Sequence, residues 1–312
     1  MANGRIGKKL IDFRSYPVEN VFDALLKDKT TKQNIIFATD IYENLGIDVK
    51  RQLTGELLLD NSFCENIRPR VEKSLEEQAE RTKKKAEVFT PSWICNKMNN
   101  HCDTEWFGRE NVFNYETDKG WRVNNEPVKF ETPTGWQKYV DSKRLEITCG
   151  EAPYLVSRYD TTTADIIPVK RRIGILDRKL RVVNENTTNE KEWLKWTIRA
   201  FQSVYGYEFQ GDNLLIARIN LLYTFVDYMQ DRWNRKPTAD ELKKIANIIV
   251  WNLWQMDGIT GLVPFGKPVP RYQQLSFFDT ISGEDNNENS LVECRIMDWR
   301  ADKSTPFNNL KG

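Results

Sequence analysis

The spacing of hydrophobic and polar positions changes several times along the chain, and each change predicts a different local structure. Residues 144–148, Arg-Leu-Glu-Ile-Thr, alternate and run into Cys-Gly, the pattern of a strand that ends in a glycine turn. Val-Tyr-Gly-Tyr-Glu-Phe at 204–209 is a second short run of this kind. Leu-Val-Glu-Cys-Arg-Ile-Met-Asp-Trp at 291–299 reads as a third strand, terminating at Asp298. Elsewhere the period lengthens. Residues 189–201 predict a helix with Asn189 as N-cap and Glu192 three positions on, a capping-box pattern. Residues 211–229 place Leu214, Ala217, Leu221, Phe225 and Tyr228 on one helical face. Residues 238–258 open with a Thr238/Glu241 capping box and stop at Gly258. Strands separated by helices predict an α/β fold, a parallel sheet with helices on both faces. In such a sheet, ligands bind beyond the carboxyl ends of the strands.

The first sixty or so residues mix short helical and irregular segments. From Pro69 a polar helix is predicted, with Pro in its first turn and Glu77/Arg81 and Glu80/Lys84 at the favourable i, i+4 spacing. Its apolar stripe, Val71, Leu75 and Ala79, is thin. That describes either an arm resting on a partner or on DNA, or a plain exposed connector. A polar stretch at 282–290 reads as a loop.

Composition narrows the class. The chain has 312 residues, 39% of them hydrophobic and 29% charged, which supports one large domain or a domain with a smaller appendage. No stretch approaches the roughly 18 consecutive apolar residues of a membrane span, and the N-terminus lacks the apolar core of a secretory signal, so no membrane and a cytoplasmic location are expected. Five scattered cysteines without a Cys-x-x-Cys pair point to reduced thiols. Cys95, His101 and Cys102 offer three metal-type ligands without a fourth nearby, and His101 is the only histidine. A net charge of +1 carries no global signature of nucleic-acid binding. Two local basic clusters, 80–85 and 169–183, read as solvated faces or as phosphate-binding stripes.

The predicted strand ends share one chemistry. Gly150 lets backbone approach a ligand, Glu208 suits a ribose diol, and Asp298 suits an exocyclic amine such as that of adenine. Together these describe an adenosine-containing ligand. The glycine pattern limits which one: the turn holds only Gly150, not Gly-x-Gly-x-x-Gly, and the chain has no Walker-type loop. S-adenosylmethionine, which has no phosphate to cradle, is compatible with so sparse a turn, and so is an αβ turn that binds nothing.

The motifs in their order resemble those of a known family. Leu-Glu-Ile-Thr-Cys-Gly-Glu-Ala-Pro-Tyr-Leu (145–155) resembles the first motif of the gamma-class adenine-N6 DNA methyltransferases of restriction-modification systems. Residues 86–98, with Phe89-Thr90-Pro91 before a helix, look like that family's upstream motif. Residues 204–222 resemble the second motif, and 294–299 are placed like the third. More narrowly, the chain is similar to the N-terminal part of proteins called restriction endonuclease subunit M, over most of its length from about residue 69.

The resemblance implies an incomplete Rossmann-like sheet of an S-adenosylmethionine-dependent methyltransferase. It divides the chain into a mostly helical region, residues 1–85, and a cofactor-binding domain, residues 86–312, with insertions near 160–185 and 258–290. Phe89, Thr90 and Pro91 would line the methionine side of the cofactor. Glu146 and the Cys149-Gly150-Glu151 turn would approach its amino-acid part, Glu208 the ribose hydroxyls and Asp298 the adenine. DNA is the implied partner. Three departures bear on this. Ile147 stands where the family has Pro, and Ala152 where it has Gly. The 62 residues from Glu146 to Glu208 exceed the roughly 20 of a minimal unit, which suggests an inserted hairpin around 166–183. Finally, the chain has no Pro-Pro pair, so the family's catalytic Asn-Pro-Pro-Tyr loop is absent. The expectation is a chain that needs a complementary methyltransferase or restriction subunit, or a noncatalytic DNA- or protein-interaction module on the same scaffold.

Overall fold

Short helices joined by turns begin the chain, as their interrupted hydrophobic spacing predicts. A computed structural model describes residues 9–85, 90–266 and 292–310. Helices α1 (Phe22–Leu26) and α2 (Gly55–Leu59) bury Leu25, Leu26 and Leu58. Thr54 caps α2 by accepting from the Leu57 amide. The helix predicted from Pro69 is divided: a 3-10 turn at Arg70–Glu72 precedes α3 (Leu75–Lys85). Ser74 and Glu77 set the start of α3 by exchanging side chain-to-amide bonds, a capping box. This helix is no free arm. Arg81, 2% exposed, reaches Asp212 at 2.8 Å and ties α3 to the interior.

Helix α4 (Ser92–Phe107) follows Pro91 and ends at the left-handed Gly108. Next come an antiparallel hairpin, β1 (Asn114–Thr117) and β2 (Gly120–Val123), then α5 (Gly135–Asp141) and the first strand of the central sheet, β3 (Arg144–Ile147). The crossover from β3 carries α6 (Ile175–Asn186) and α7 (Glu190–Gln202) to β4 (Val204–Glu208). Asn189 caps α7 through the Glu192 amide, as its sequence predicts. A second crossover, α8 (Gly211–Trp233) and α9 (Ala239–Asn252), leads to β5 (Leu253–Gln255). The Thr238/Glu241 capping box is present in full. Strands β3, β4 and β5 pair in parallel in that order, so the fold is mixed α/β around a small parallel sheet.

Two expectations are corrected. Only Ile166 and Ile167 pair back, against Tyr159 and Arg158; the rest of 166–183 forms no hairpin, and after the 3-10 turn Val169–Arg171 it enters α6, where Leu176, Leu180 and Val183 recur at helical spacing and are buried. The third parallel strand is also not the predicted one. It is β5, from the tail of the predicted 238–258 helix. Residues around 291–299 instead form β6 (Arg295–Asp298), antiparallel to β7 (Lys303–Pro306).

The sheet faces are covered differently. One carries Val204 and Leu253 into a core continuous with α8, α9 and N-terminal residues such as Leu25 and Phe37. The other carries Tyr205, Tyr207 and Trp254 against Cys294, Ile296 and Phe307 of the C-terminal hairpin region. Among the described residues this second face is covered by strands rather than by the expected helices. The outer edge of β5 meets residues near Ile36, which exchanges two hydrogen bonds with the Gln255 side chain. The outer edge of β3 has no strand partner among the described residues.

Candidate site at the carboxyl end of the sheet

Glu146 and Glu208 lie on adjacent strands, where alternation turns both side chains to the inward face. They are 7% and 6% exposed. Glu146 accepts from the amides of Tyr154 at 3.2 Å and Leu155 at 3.1 Å. Glu208 accepts from the amides of Gly150 at 3.0 Å, Phe209 at 3.0 Å and Gln210 at 3.1 Å. The two carboxyls thus clasp the turn after β3 from both ends. Neither forms an ion pair among the described residues, and the consequence is electrostatic. Burial pushes Glu146 up to about 8, outweighing the two amide bonds, with the nearby Glu208 adding to the rise. Burial likewise pushes Glu208 up to about 7.

The turn itself has the geometry its glycine predicts. Gly150 adopts φ +52°, and no atom lies within 4 Å of where a Cβ would stand, so there is open space beside it. Ala152 is also left-handed, at φ +64°, a conformation that disfavours a side chain by roughly 1–2 kcal/mol. Cys149 is buried, and its amide donates to the Tyr207 carbonyl. Its side chain explains the glycine of Tyr-Gly-Tyr-Glu: a Cβ at Gly206 would lie 2.9 Å from that of Cys149. Burial raises the Cys149 thiol well above its ordinary value, which makes this residue packing rather than a nucleophile.

The other predicted residues fall in different places. Phe89 lies outside the described residues. Thr90 and Pro91 sit at the start of α4, where the Thr90 carbonyl accepts from the Thr161 hydroxyl at 2.9 Å. Cys95, one turn on, is close enough for Glu146 to raise its thiol further after burial. Thr90 also bears on the Tyr154 hydroxyl, so the upstream turn and the strand-end turn meet beside Glu146. Glu151 is engaged elsewhere, accepting from the Arg70 amide at 2.7 Å and the Tyr159 hydroxyl at 2.9 Å.

Asp298 does not join the rim. It bonds Lys143, which immediately precedes β3, at 3.1 Å, and accepts from the Arg300 amide at 2.9 Å, bonds that lower its pKa. Its position is therefore the amino end of the sheet, and its predicted contact with adenine is corrected. The residue that ends the third parallel strand is Gln255, whose amide is held by Ile36 and Phe209. Cys95 is buried while His101 and Cys102 are exposed, so these three do not converge.

Two contributors were not predicted. Tyr154 and Met98 meet through hydroxyl and sulfur at 3.1 Å, and Met98 is 53% exposed, giving the rim an aromatic and apolar side. Both stand inside quoted motifs, but only contact across α4 and the turn identifies them. Comparisons with protein-family models, curated proteins and solved structures found no significant match.

Proposed function

We propose that this chain is the S-adenosylmethionine-binding portion of an adenine-N6 DNA methyltransferase of a restriction-modification system, completed by a separate part or subunit that supplies the catalytic loop and target recognition. One observation carries the reading: Glu146 and Glu208 are buried at adjacent strand ends with no cation paired to them among the described residues. Two such carboxyls favour a ligand that brings its own positive charge. S-adenosylmethionine has two positive groups, the ammonium and the sulfonium, and two ribose hydroxyls for a carboxylate to accept. The open space beside Gly150 fits a ligand there. Glu208 would hold the ribose, and Glu146 and the Gly150 turn the amino-acid part, with Thr90, Pro91 and Tyr154 flanking. When bound, the cofactor supplies the methyl group; these residues bind and orient it. The order of the sequence motifs supports the DNA-modifying class, and the absence of an Asn-Pro-Pro-Tyr loop supports completion by another part.

The test is calorimetric titration of the chain with S-adenosylmethionine, beside a Glu208→Ala variant. The expected result is saturable binding, weakened about 10- to 100-fold in the variant by loss of hydrogen bonds to a charged group. Absence of binding to the wild-type chain would refute a preformed site. A second reading, a noncatalytic interaction module, is favoured by the five main-chain amides that already engage the two carboxyls. On that reading Glu208→Ala lowers stability while S-adenosylmethionine changes nothing.

A further inference from the structure

A cavity of about 400 Å³ opens between the β1–β2 hairpin, the turn Val169–Arg171, and helices α6 and α8. Its wall is of one sign: six cationic side chains line it against two carboxylates, Glu185 and Asp231. Which cations already have partners decides what the cavity can hold. Arg178 pairs with Asp103 and Arg181 with Glu185. Arg172 is less well matched. Its Nη2 and the Nε of Arg158 share the single carboxylate of Asp227, at 2.5 and 3.2 Å, and Nη1 of each guanidinium has no acceptor among the described residues. Asp177 also attracts Arg172, but its carboxylate accepts from the Ser157 and Gly174 amides. Lys170 and Arg171 are exposed, Arg232 donates to the Thr187 carbonyl at 3.1 Å, and none of the three forms an ion pair among the described residues.

The cationic turn is held in place. Pro168 precedes it, and the Trp121 ring nitrogen donates to the Arg171 carbonyl at 2.8 Å, fastening the turn to the hairpin. Lys170 and Arg171 on this fixed turn, neither of them in an ion pair among the described residues, repel each other, a cost that a bound anion offsets. Trp121 and Val123 add an apolar strip to the same wall. The volume lies near the lower end of the roughly 300–1,000 Å³ of small-molecule sites, too small for a nucleic-acid duplex.

We propose that this cavity binds a phosphate monoester of sugar-phosphate to mononucleotide size, the phosphate held by Lys170, Arg171 and Arg232 and the remainder lying against Trp121. The site is separate from the Glu146/Glu208 rim and does not depend on what that rim binds.

Ribose 5-phosphate, ribose and inorganic phosphate are titrated into the full chain by calorimetry; none carries an adenine. Ribose 5-phosphate is expected to bind at least about tenfold more tightly than ribose, with inorganic phosphate competing. Replacing Lys170→Ala and Arg171→Ala together is expected to weaken it at least about tenfold. The exposed α9 pair Lys243→Ala/Lys244→Ala should leave the affinity unchanged. Equal affinity for ribose and ribose 5-phosphate, no binding of either, or binding that survives the Lys170/Arg171 change would overturn the proposal. A short DNA duplex that binds through Lys170 and Arg171 while ribose 5-phosphate does not would overturn it in favour of a nucleic-acid surface.

Discussion

Replacing Glu146 by glutamine should flatten the pH dependence of stability. In the folded chain the Glu146 carboxyl titrates near 8, against 4.5 ordinarily. The folded state therefore holds this proton more tightly than the unfolded state. The resulting stabilisation is fully present below pH 4.5 and is lost as the pH rises toward 8. Each pH unit inside that window is worth about 1.4 kcal/mol, so from about pH 5.5 to about pH 7.5 Glu146 removes about 3 kcal/mol. Glutamine does not titrate. It keeps an oxygen for one of the Tyr154 and Leu155 amides and loses the other bond, so the variant starts about 1 kcal/mol less stable at the acid end. Urea unfolding at intervals across this range measures the difference. The variant should gain about 3 kcal/mol on the wild type between the ends, leaving Glu208, near 7, to supply the residual slope. Identical slopes in the two proteins would refute the reasoning, because they would mean that Glu146 is ionised throughout and its amide partners outweigh burial.

On the proposed cofactor reading, S-adenosylmethionine binding near pH 7 should release protons, because a positive ligand lowers the raised pKa values of Glu146 and Glu208. Affinity should then rise with pH toward 8, and calorimetry in buffers of different ionisation heat should detect the protons; heats that do not vary with buffer count against it. Arg81→Met should destabilise the chain by about 3 kcal/mol, since it removes the ion-pair partner of a fully buried carboxylate and leaves it the Tyr42 hydroxyl as donor. Burial works to raise Asp212, and Arg81, aided by Lys73 and the Tyr42 hydroxyl, outweighs it to hold the group at about 2, so removing Arg81 should raise the Asp212 pKa and weaken the stability that its ionised form supplies at neutral pH. Gly211→Ala should cost at least about 3 kcal/mol and open the N-terminal region to limited proteolysis, because a Cβ there would stand 2.0 Å from the Ile36 carbonyl oxygen.

The parts of the fold that were legible in the sequence are those with local punctuation. Asn189 and Thr238 mark the starts of α7 and α9 because their side chains bond amides three residues on, within the same short string. Strands β3 and β4 were legible from alternation bounded by a turn. β5 was not, because Leu253–Gln255 follows Asn252 of α9 without Gly or Pro, and its three positions are too few to establish a period. The site depends on this strand: a parallel 291–299 would put Asp298 at the carboxyl end of the sheet, whereas in the β6–β7 hairpin it meets Lys143 at the amino end. The α6 error was of period. Ile, Val and Leu in 166–183 suggested strands, while Leu176, Leu180 and Val183 already repeat at helical spacing. Burial of Arg81 could not be read at all, since its partner Asp212 lies 131 residues away.

Strand β3 unites the two features that distinguish this sheet. Its inward residue, Glu146, is a buried carboxyl without a cation among the described residues; its two apolar side chains, Leu145 and Ile147, are 42% and 66% exposed. Because Arg144 donates its amide toward β4, alternation turns the amides of Leu145 and Ile147 to the unpaired edge. A proline at 147, as in the family the motifs resemble, would remove only an amide that the sheet does not use. An exposed apolar edge strand is a site for pairing unless something covers it. In open α/β sheets, ligands gather where strand order reverses, and with β3, β4 and β5 running outward in sequence order, reversal would require a strand on the free side of β3. On the proposed reading, a strand added there would bring its own carboxyl end beside Glu146. Completing the sheet and completing the site would then be one event, and cofactor affinity should rise when the complementary part is bound.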